Sequence, residues 1–388
     1  MASRFAEFAV ERYMSENEQR VEYSLFAESG VHSMQVREVV ELGESAGLLT
    51  AEAVGNISLN YPEVNGQVAL RRAIAALYGE QDADKVLVTV GASEANYVLA
   101  DTLLGPGDEA AILTPTYKQF YGCALNRGAS VAEFFLDETD QWRLDFGSLR
   151  RAVKPTTKVI ALVNPNNPTG RVLDAEERAA IVGAARAVGA WLLVDEVYAG
   201  AETSGETETR SFYGEYDRVV CVNSLSKAYG LPGLRLGWAI GPSALMTAAW
   251  RRHEYATISA SMLGNRLGFV AVHPATRPQL IARSRKLIRR GWPLVQRMLD
   301  DNRDLLSLAA RPQASAMCFL RYKLQTDSMT LALRLVREKS ILLVPGAAFG
   351  KEHHLRFSYA LPEDEVRIGI DRLVAMLRQV QREEQAKL

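Results

Sequence analysis

The sequence predicts an α/β fold, with a mainly parallel sheet in a large domain and a smaller α+β domain after it. Three observations predict it. Between about residues 85 and 240, short apolar runs alternate with helical-period stretches, as strands joined by crossover helices do. After Pro242 the period becomes mostly helical. From about residue 315, strands and helices alternate again on a shorter scale. A length of 388 residues leaves room for two or three domains. The division expected is an N-terminal segment, 1–44, joining the small domain, a large domain, 45–275, and a small C-terminal domain, 276–388.

Taken in order, KVLVTV (85–90) reads as a strand, and GASEANYVLADTLLG opens a helix behind it. EAAILTP is a second strand and KVIALVNP (158–165) a third. Asp174 with Glu177 three residues on forms a capping box for a helix over 174–188, whose Ile181, Ala184, Ala185 and Val188 share a face. Gly189 bounds the next strand, AWLLVDEVY; RVVCVNS (218–224) and LRLGWAIG come after it. Pro278 to about Asp301 predicts one long helix, broken or kinked near Gly291-Trp292-Pro293. Its Arg283, Arg285, Lys286, Arg289 and Arg290 read as a solvated face rather than an anion site. In the small domain AMCFLRYKL, ILLVP and HLRFSY are strands, with helices near 328–338 and 361–380.

Charge and composition exclude several classes of function. The 45 basic against 46 acidic residues leave a net charge of −1, no footprint for nucleic acid. Cys123, Cys221 and Cys318 are too scattered for a disulfide framework, and the five histidines lack metal-ligand spacing. No apolar run approaches the roughly 20 residues that span a bilayer. The start, MASRFAEFAVERYMSENEQ, carries acids where a signal peptide is apolar. A cytoplasmic protein without nucleic-acid or membrane partners is expected.

The unusual polar residues fall just past the carboxyl ends of predicted strands, the edge of an open α/β sheet where ligands bind. Gly91-Ala92-Ser93 is a small-residue turn whose amides and helix dipole suit a phosphate, though such turns often only join strand to helix. Asn164 to Gly170, N-P-N-N-P-T-G, is a rigid loop that aims amide side chains. Asp195 ends an apolar strand, where a carboxylate is costly unless a cation faces it. In SLSKAYGLPGLRLGW, Lys227 at a strand end lies beside a returning Arg235, an arrangement hard to explain as core. One cofactor uses all of these: pyridoxal phosphate needs a lysine for a Schiff base, an acid opposite its ring nitrogen, and donors for its phosphate. The run S-L-S-K also spells the S-x-x-K of acylating serine enzymes, but their companion motifs S-D-N and K-T-G are missing.

N-P-N-N-P-T-G, D-E-V-Y and S-x-S-K-x-x-x-x-x-G-x-R-x-G stand in the order and spacing of one family. Over nearly its whole length the chain resembles the fold-type I pyridoxal-phosphate enzymes of the class I/II aminotransferases. The resemblance implies a seven-stranded, mainly parallel sheet in a pyridoxal-phosphate-binding large domain. It gives Lys227 as the Schiff-base lysine, Asp195 as partner of the pyridine nitrogen, and Asn167 and Tyr198 as donors to the 3-oxygen. Ala92, Ser93, Ser224 and Arg235 match the phosphate cup, and Tyr117 the ring stacked on the pyridine. Tyr61, in Y-P-E-V-N-G, matches a tyrosine that reaches the neighbouring subunit's phosphate, which implies a homodimer with shared sites. Arg356, in H-L-R-F-S-Y, matches the clamp on the substrate's α-carboxylate, with Asn167, Gly30 and His32 also at the substrate. Lys227, Asp195 and Tyr198 form the catalytic set. Arg251, Arg252, His253 and Glu254 read as a solvated helix end.

Where many relatives carry Gly-x-Pro, this chain has Glu28-Ser29-Gly30-Val31-His32, a segment similar to that of capreomycidine synthase-like enzymes of specialised metabolism. P-Q-A-S-A-M-C-F replaces a glycine-rich stretch common in transaminases. The expected function is pyridoxal-phosphate-dependent conversion of an L-amino acid, with aminotransfer foremost. The alternatives are β/γ-elimination, replacement or cyclisation and, in another class, a non-catalytic binding module.

Overall fold

The computed structural model describes residues 5–387. Its large sheet comprises β1 (Val86–Thr89), β2 (Glu109–Thr114), β3 (Ser130–Asp137), β4 (Arg143–Leu144), β5 (Thr157–Val163), β6 (Trp191–Asp195), β7 (Val219–Ser224) and β8 (Gly237–Ile240). They lie in the order β1-β8-β7-β6-β5-β2-β3-β4. From β3 through β2, β5 and β6 to β7 the pairing is parallel; β8 runs antiparallel to both β7 and β1. The sheet has eight strands rather than seven because the two-residue β4 pairs antiparallel with the edge strand β3.

Alternation across the strands divides the core into two layers. Leu87, Ala110, Ile112, Val220 and Val222 pack on the side of helices Gly91–Leu103 and Ser243–Ala256. Val86, Val88, Ala111, Leu113, Val219 and Cys221 face the other side, where helix Ala175–Val188 contributes Ile181, Val182 and Ala185. Strands covered on both faces read as continuous apolar runs, so β5 and β6 are conspicuous in the sequence. The Asp174–Glu177 capping box forms as expected, and Gly189 ends that helix at φ +68°.

The second sheet has the order β11-β12-β10-β9, with β9 (Leu306–Ser307), β10 (Met317–Tyr322), β11 (Val344–Pro345) and β12 (His354–Ser358). The N-terminal segment packs onto it. Tyr23 bridges Ile341, and the Phe26 ring stacks on Phe357 with centroids 5.3 Å apart.

Two expectations for the long helix need correction. Arg277–Asp301 runs as a single helix with Pro293 inside it, so of the expected break or kink the break does not occur. An interior proline costs about 3 kcal/mol. Burial of Leu280, Ile281, Ile288, Trp292, Val295 and Met298 along one face outweighs that, at roughly 1.5–3 kcal/mol per large apolar side chain. The basic cluster is a solvated face only in part: Lys286 and Arg290 are exposed as expected, but the others are engaged. Arg285 is buried and pairs with Glu202 while donating to the Gly200 carbonyl, and Arg289 pairs with Glu206, so the helix is clamped to the 200–206 loop. Among the described residues no helix is long and apolar enough to cross a membrane.

Candidate active site

The carboxyl ends of β5, β6 and β7 open into a cavity of about 460 Å³. Lys227 lies in its wall, three residues after the end of β7. Burial pulls its ammonium below the ordinary lysine range; Glu28 opposes that pull and Arg356 adds to it. Its Nζ has no hydrogen-bond partner among the described residues, and its burial favours the amine, the form a nucleophile or base requires. Gly30 packs against it. A Cβ there would stand 2.9 Å from the Ser226 carbonyl oxygen and 3.5 Å from Lys227 Cα.

Asp195, the last residue of β6, is buried. Its Oδ2 accepts from Asn96 Nδ2 at 3.0 Å and its Oδ1 from the Val197 amide at 3.2 Å. Burial raises its pKa to about 6, against those bonds and the Lys227 charge. A carboxylate held so, in want of a cation, suits a protonated ring nitrogen. Asn96 is a participant the sequence did not reveal. It lies further along the helix that begins at Gly91, so one helix both starts the anion cup and orients the acid.

The cup is built by close approach. Gly91 has φ +72°, and a Cβ on it would come within 2.7 Å of Arg235 Nη2. A Cβ on Gly237, in β8, would stand 2.4 Å from the Ala92 nitrogen. Only glycine at both positions lets Arg235 and the helix start converge. Ser224 and Ser226 complete this corner, and Ser226 is within 3.5 Å of Arg235 Nη1. Behind it, Glu94 Oε2 accepts from the Val90 amide at 2.6 Å, and Glu94 Oε1 meets Nδ1 of fully buried His253 at 2.8 Å. His253 Nε2 meets the Val64 carbonyl at 3.1 Å. His253 is therefore no part of a solvated helix end: it ties the cup helix to the loop that carries Tyr61.

Across the cavity, Tyr198 donates to Ser29 Oγ at 2.9 Å and accepts from Asn167 Nδ2 at 3.0 Å. Burial holds its phenol protonated, with a pKa of about 12. Of the loop's asparagines, Asn164 and Asn166 brace the backbone at Leu173 and Thr169, which leaves Asn167 facing the cavity. Arg356 on β12 is only 2% exposed, yet it has no carboxylate partner. Nη1 donates to Asn167 Oδ1 at 3.2 Å, Nη2 donates to the Ala27 carbonyl, and Nε is buried with no partner. A buried, incompletely satisfied guanidinium is costly to hold and suits a planar anion bound against it.

Tyr117 also lines the cavity, its hydroxyl donating to Glu11 at 2.6 Å. His32 does not reach the wall: its amide donates to Ala360 and its carbonyl accepts from Arg283, both at 2.9 Å. Tyr61 is 78% exposed and outside the cavity of its own chain. Glu28 and Ser29, in the segment that the sequence singles out, stand beside a roof that sequence reasoning missed: Phe8, Glu11 and Met14, from the N-terminal helix region. Nothing local marks these residues; they arrive by long-range packing.

The donor set fits pyridoxal phosphate. The cup could hold a phosphate, Asp195 a protonated ring nitrogen, Asn167 and Tyr198 a phenolic oxygen and Lys227 an aldehyde, while the orphaned Arg356 Nε is left for a substrate carboxylate. The sequence model of aminotransferase class I and II matches residues 30–373. An aspartate aminotransferase of Streptomyces avermitilis is 30% identical over 328 residues, 81% of this chain and 79% of that protein. Capreomycidine synthase of Streptomyces vinaceus is 29% identical over 351 residues, 88% of this chain and 86% of that one. Among solved structures, a PLP-dependent aminotransferase from Streptococcus suis matches with a TM-score of 0.89 at 28% identity, over 97% of this chain and 99% of its own. The PLP-dependent cyclase OrfR matches with a TM-score of 0.86 at 26% identity, over 98% and 99%. The fold, this constellation of donors and these matches together make the chain an enzyme of the class I and II aminotransferase family, with pyridoxal 5'-phosphate as its cofactor.

Proposed function

We propose that this enzyme is an aminotransferase acting on the α-amino group of an L-amino acid. The observation that carries the reading is Arg356, a buried guanidinium with an unpartnered Nε, in the same cavity as an unpartnered Lys227 amine. Bound pyridoxal phosphate supplies a ring that accepts electrons from the substrate's α-carbon. The Ala92 and Ser93 amides, Ser224 and Arg235 hold the phosphate, Asp195 keeps the ring nitrogen protonated, Asn167 and Tyr198 donate to the 3-oxygen, and Tyr117 covers one face. Arg356 grips the α-carboxylate and fixes the direction of the Cα–H bond. Lys227 Nζ, whose ammonium form its burial disfavours, would remove that proton as general base.

A second reading is β/γ-elimination or cyclisation, which shares this proton removal and differs in the fate of the electrons it releases. It is favoured by the Glu28–His32 segment beside Lys227 and by the likeness to capreomycidine synthase and to a cyclase. A homodimer with Tyr61 serving the other subunit's phosphate completes the proposal; the exposure of Leu59 and Tyr61, 78% each, supports it.

Borohydride trapping with peptide mass analysis tests the attachment, and an unlabelled Lys227 in a cofactor-loaded sample refutes it. Incubation with a panel of amino acids then separates the reactions. Pyridoxamine phosphate with keto acid identifies transamination, and ammonia with unchanged cofactor identifies elimination. Sedimentation gives the oligomeric state.

A further inference from the structure

Resting on that reading, most charges in the cavity are already employed, Lys227, Arg235 and Arg356 among the cations and Asp195 among the anions. Glu11 and Glu28 remain, both in the wall and both exposed towards the mouth. The Glu28 carboxylate has no hydrogen-bond or ion-pair partner among the described residues. The Glu11 carboxylate accepts only from Tyr117 OH, at 2.6 Å. Both carboxylates act electrostatically on Lys227 and on Arg356, so they face the region where a substrate sits. Phe8 and Met14, three residues either side of Glu11, turn apolar surface into the same space.

The buried guanidinium gives the expected orientation of the substrate. The orphaned Nε of Arg356, on a side chain 98% buried, anchors the α-carboxylate, and the amine must reach the Lys227 side. The side chain then leaves towards the roof, past Phe8 and Met14 to the acids. We infer that the substrate is an L-amino acid with a cationic side chain, a guanidinium or ammonium on a methylene stem. Phe8 and Met14 line the stem, and Glu28 and Glu11 receive the tip. A dicarboxylic amino acid meets the reverse situation: its second carboxylate approaches two acids, and every cation in the wall is already engaged. Glu28 and Glu11 are thus specificity-determining rather than catalytic.

The test is spectral titration of the loaded enzyme with L-arginine, L-ornithine, L-norleucine and L-aspartate, which reads binding together with the first half-reaction and needs no amino acceptor. Arginine or ornithine should perturb the chromophore at concentrations about tenfold or more below norleucine, with aspartate weakest. Glu28→Gln should shrink the arginine-to-norleucine ratio about fivefold to tenfold, and Glu28→Lys should bring aspartate ahead of arginine. The Glu28 carboxylate has no partner to lose, so both variants are expected to fold, which the unaltered chromophore of the resting enzyme would confirm. Aspartate binding ahead of arginine in the unaltered enzyme, or a ratio indifferent to Glu28→Gln, overturns the inference and leaves the cofactor assignment intact. A chromophore on Lys227 that responds to none of the four overturns the inference, and one that also ignores the full amino-acid panel overturns the proposed function with it.

Discussion

Replacing Arg356 by Gln should separate its cost to the fold from its value to the reaction. In the free protein the guanidinium is 2% exposed and pairs with no carboxylate. Holding an uncompensated cation there costs several kcal/mol. Its bonds to Asn167 Oδ1 and the Ala27 carbonyl return about 1.5–3 kcal/mol each. The Gln variant loses both the cost and most of the return, so stability should change by no more than about 1 kcal/mol, a melting shift within about 3 °C. With substrate bound the balance differs, because a buried carboxylate then loses its only charged partner. Such losses run to about 3–5 kcal/mol, roughly two to four orders of magnitude in kcat/KM. Thermal unfolding and steady-state kinetics read the two halves. An alkylamine lacking the α-carboxylate serves as control, since its binding should be indifferent to the substitution. Equal losses for amine and amino acid, or a melting point more than about 5 °C lower, would show Arg356 to be a structural residue.

The other predictions concern the cofactor floor and its support. Asp195 has a folded pKa of about 6 against 3.8, so the folded state binds its proton more readily between those values. Stability of cofactor-free protein should therefore fall as pH rises through that window by about 3 kcal/mol and stay lower above it. In Asp195→Asn, the fall measured by urea unfolding between pH 4 and 8 should be smaller by that amount, with buried Glu196, raised to about 7, supplying what remains; an unchanged slope removes Asp195 as a source. Asp195→Ala should retain cofactor but lose exchange of the substrate Cα proton with solvent, and normal exchange would disprove the role. Gly237→Ala puts a methyl group 2.4 Å from the Ala92 nitrogen and should weaken pyridoxal phosphate binding at least tenfold by equilibrium dialysis, with far-UV dichroism unchanged. His253→Ala takes one partner from the buried Glu94 carboxylate, which keeps the Val90 amide and the Thr257 hydroxyl, and should cost about 1–3 kcal/mol in urea unfolding, a loss that Glu94→Gln in the same chain partly restores. An additive double variant would mean that the pair does not interact.

Legibility in the sequence divides along physical lines. The cofactor floor was legible because Ala92, Ser93, Asp195, Ser224 and Lys227 each lie at a strand end, where local pattern and chemistry coincide. The central strands were legible for a related reason, since both faces are buried. β3 was not: along Ser130–Asp137 exposed and half-buried positions alternate with buried ones, the weak signature of a strand near the sheet edge. The roof escaped because Phe8, Glu11 and Met14 look like any amphipathic helix until folding sets them over residues more than 200 positions away. Arg285 and His253 were misread as solvated for the same reason; their acidic partners, Glu202 and Glu94, are 83 and 159 residues distant.

That split between floor and roof has a corollary. The lining that fits the vitamin is anchored to one sheet edge, whereas the lining inferred to meet the variable end of a substrate is a strip between Phe8 and Ser29, docked through Phe26 on Phe357 and the Tyr23–Ile341 bridge. Grafting that strip from a relative of different preference should therefore shift the choice of side chain while leaving attachment of the vitamin at Lys227 unchanged.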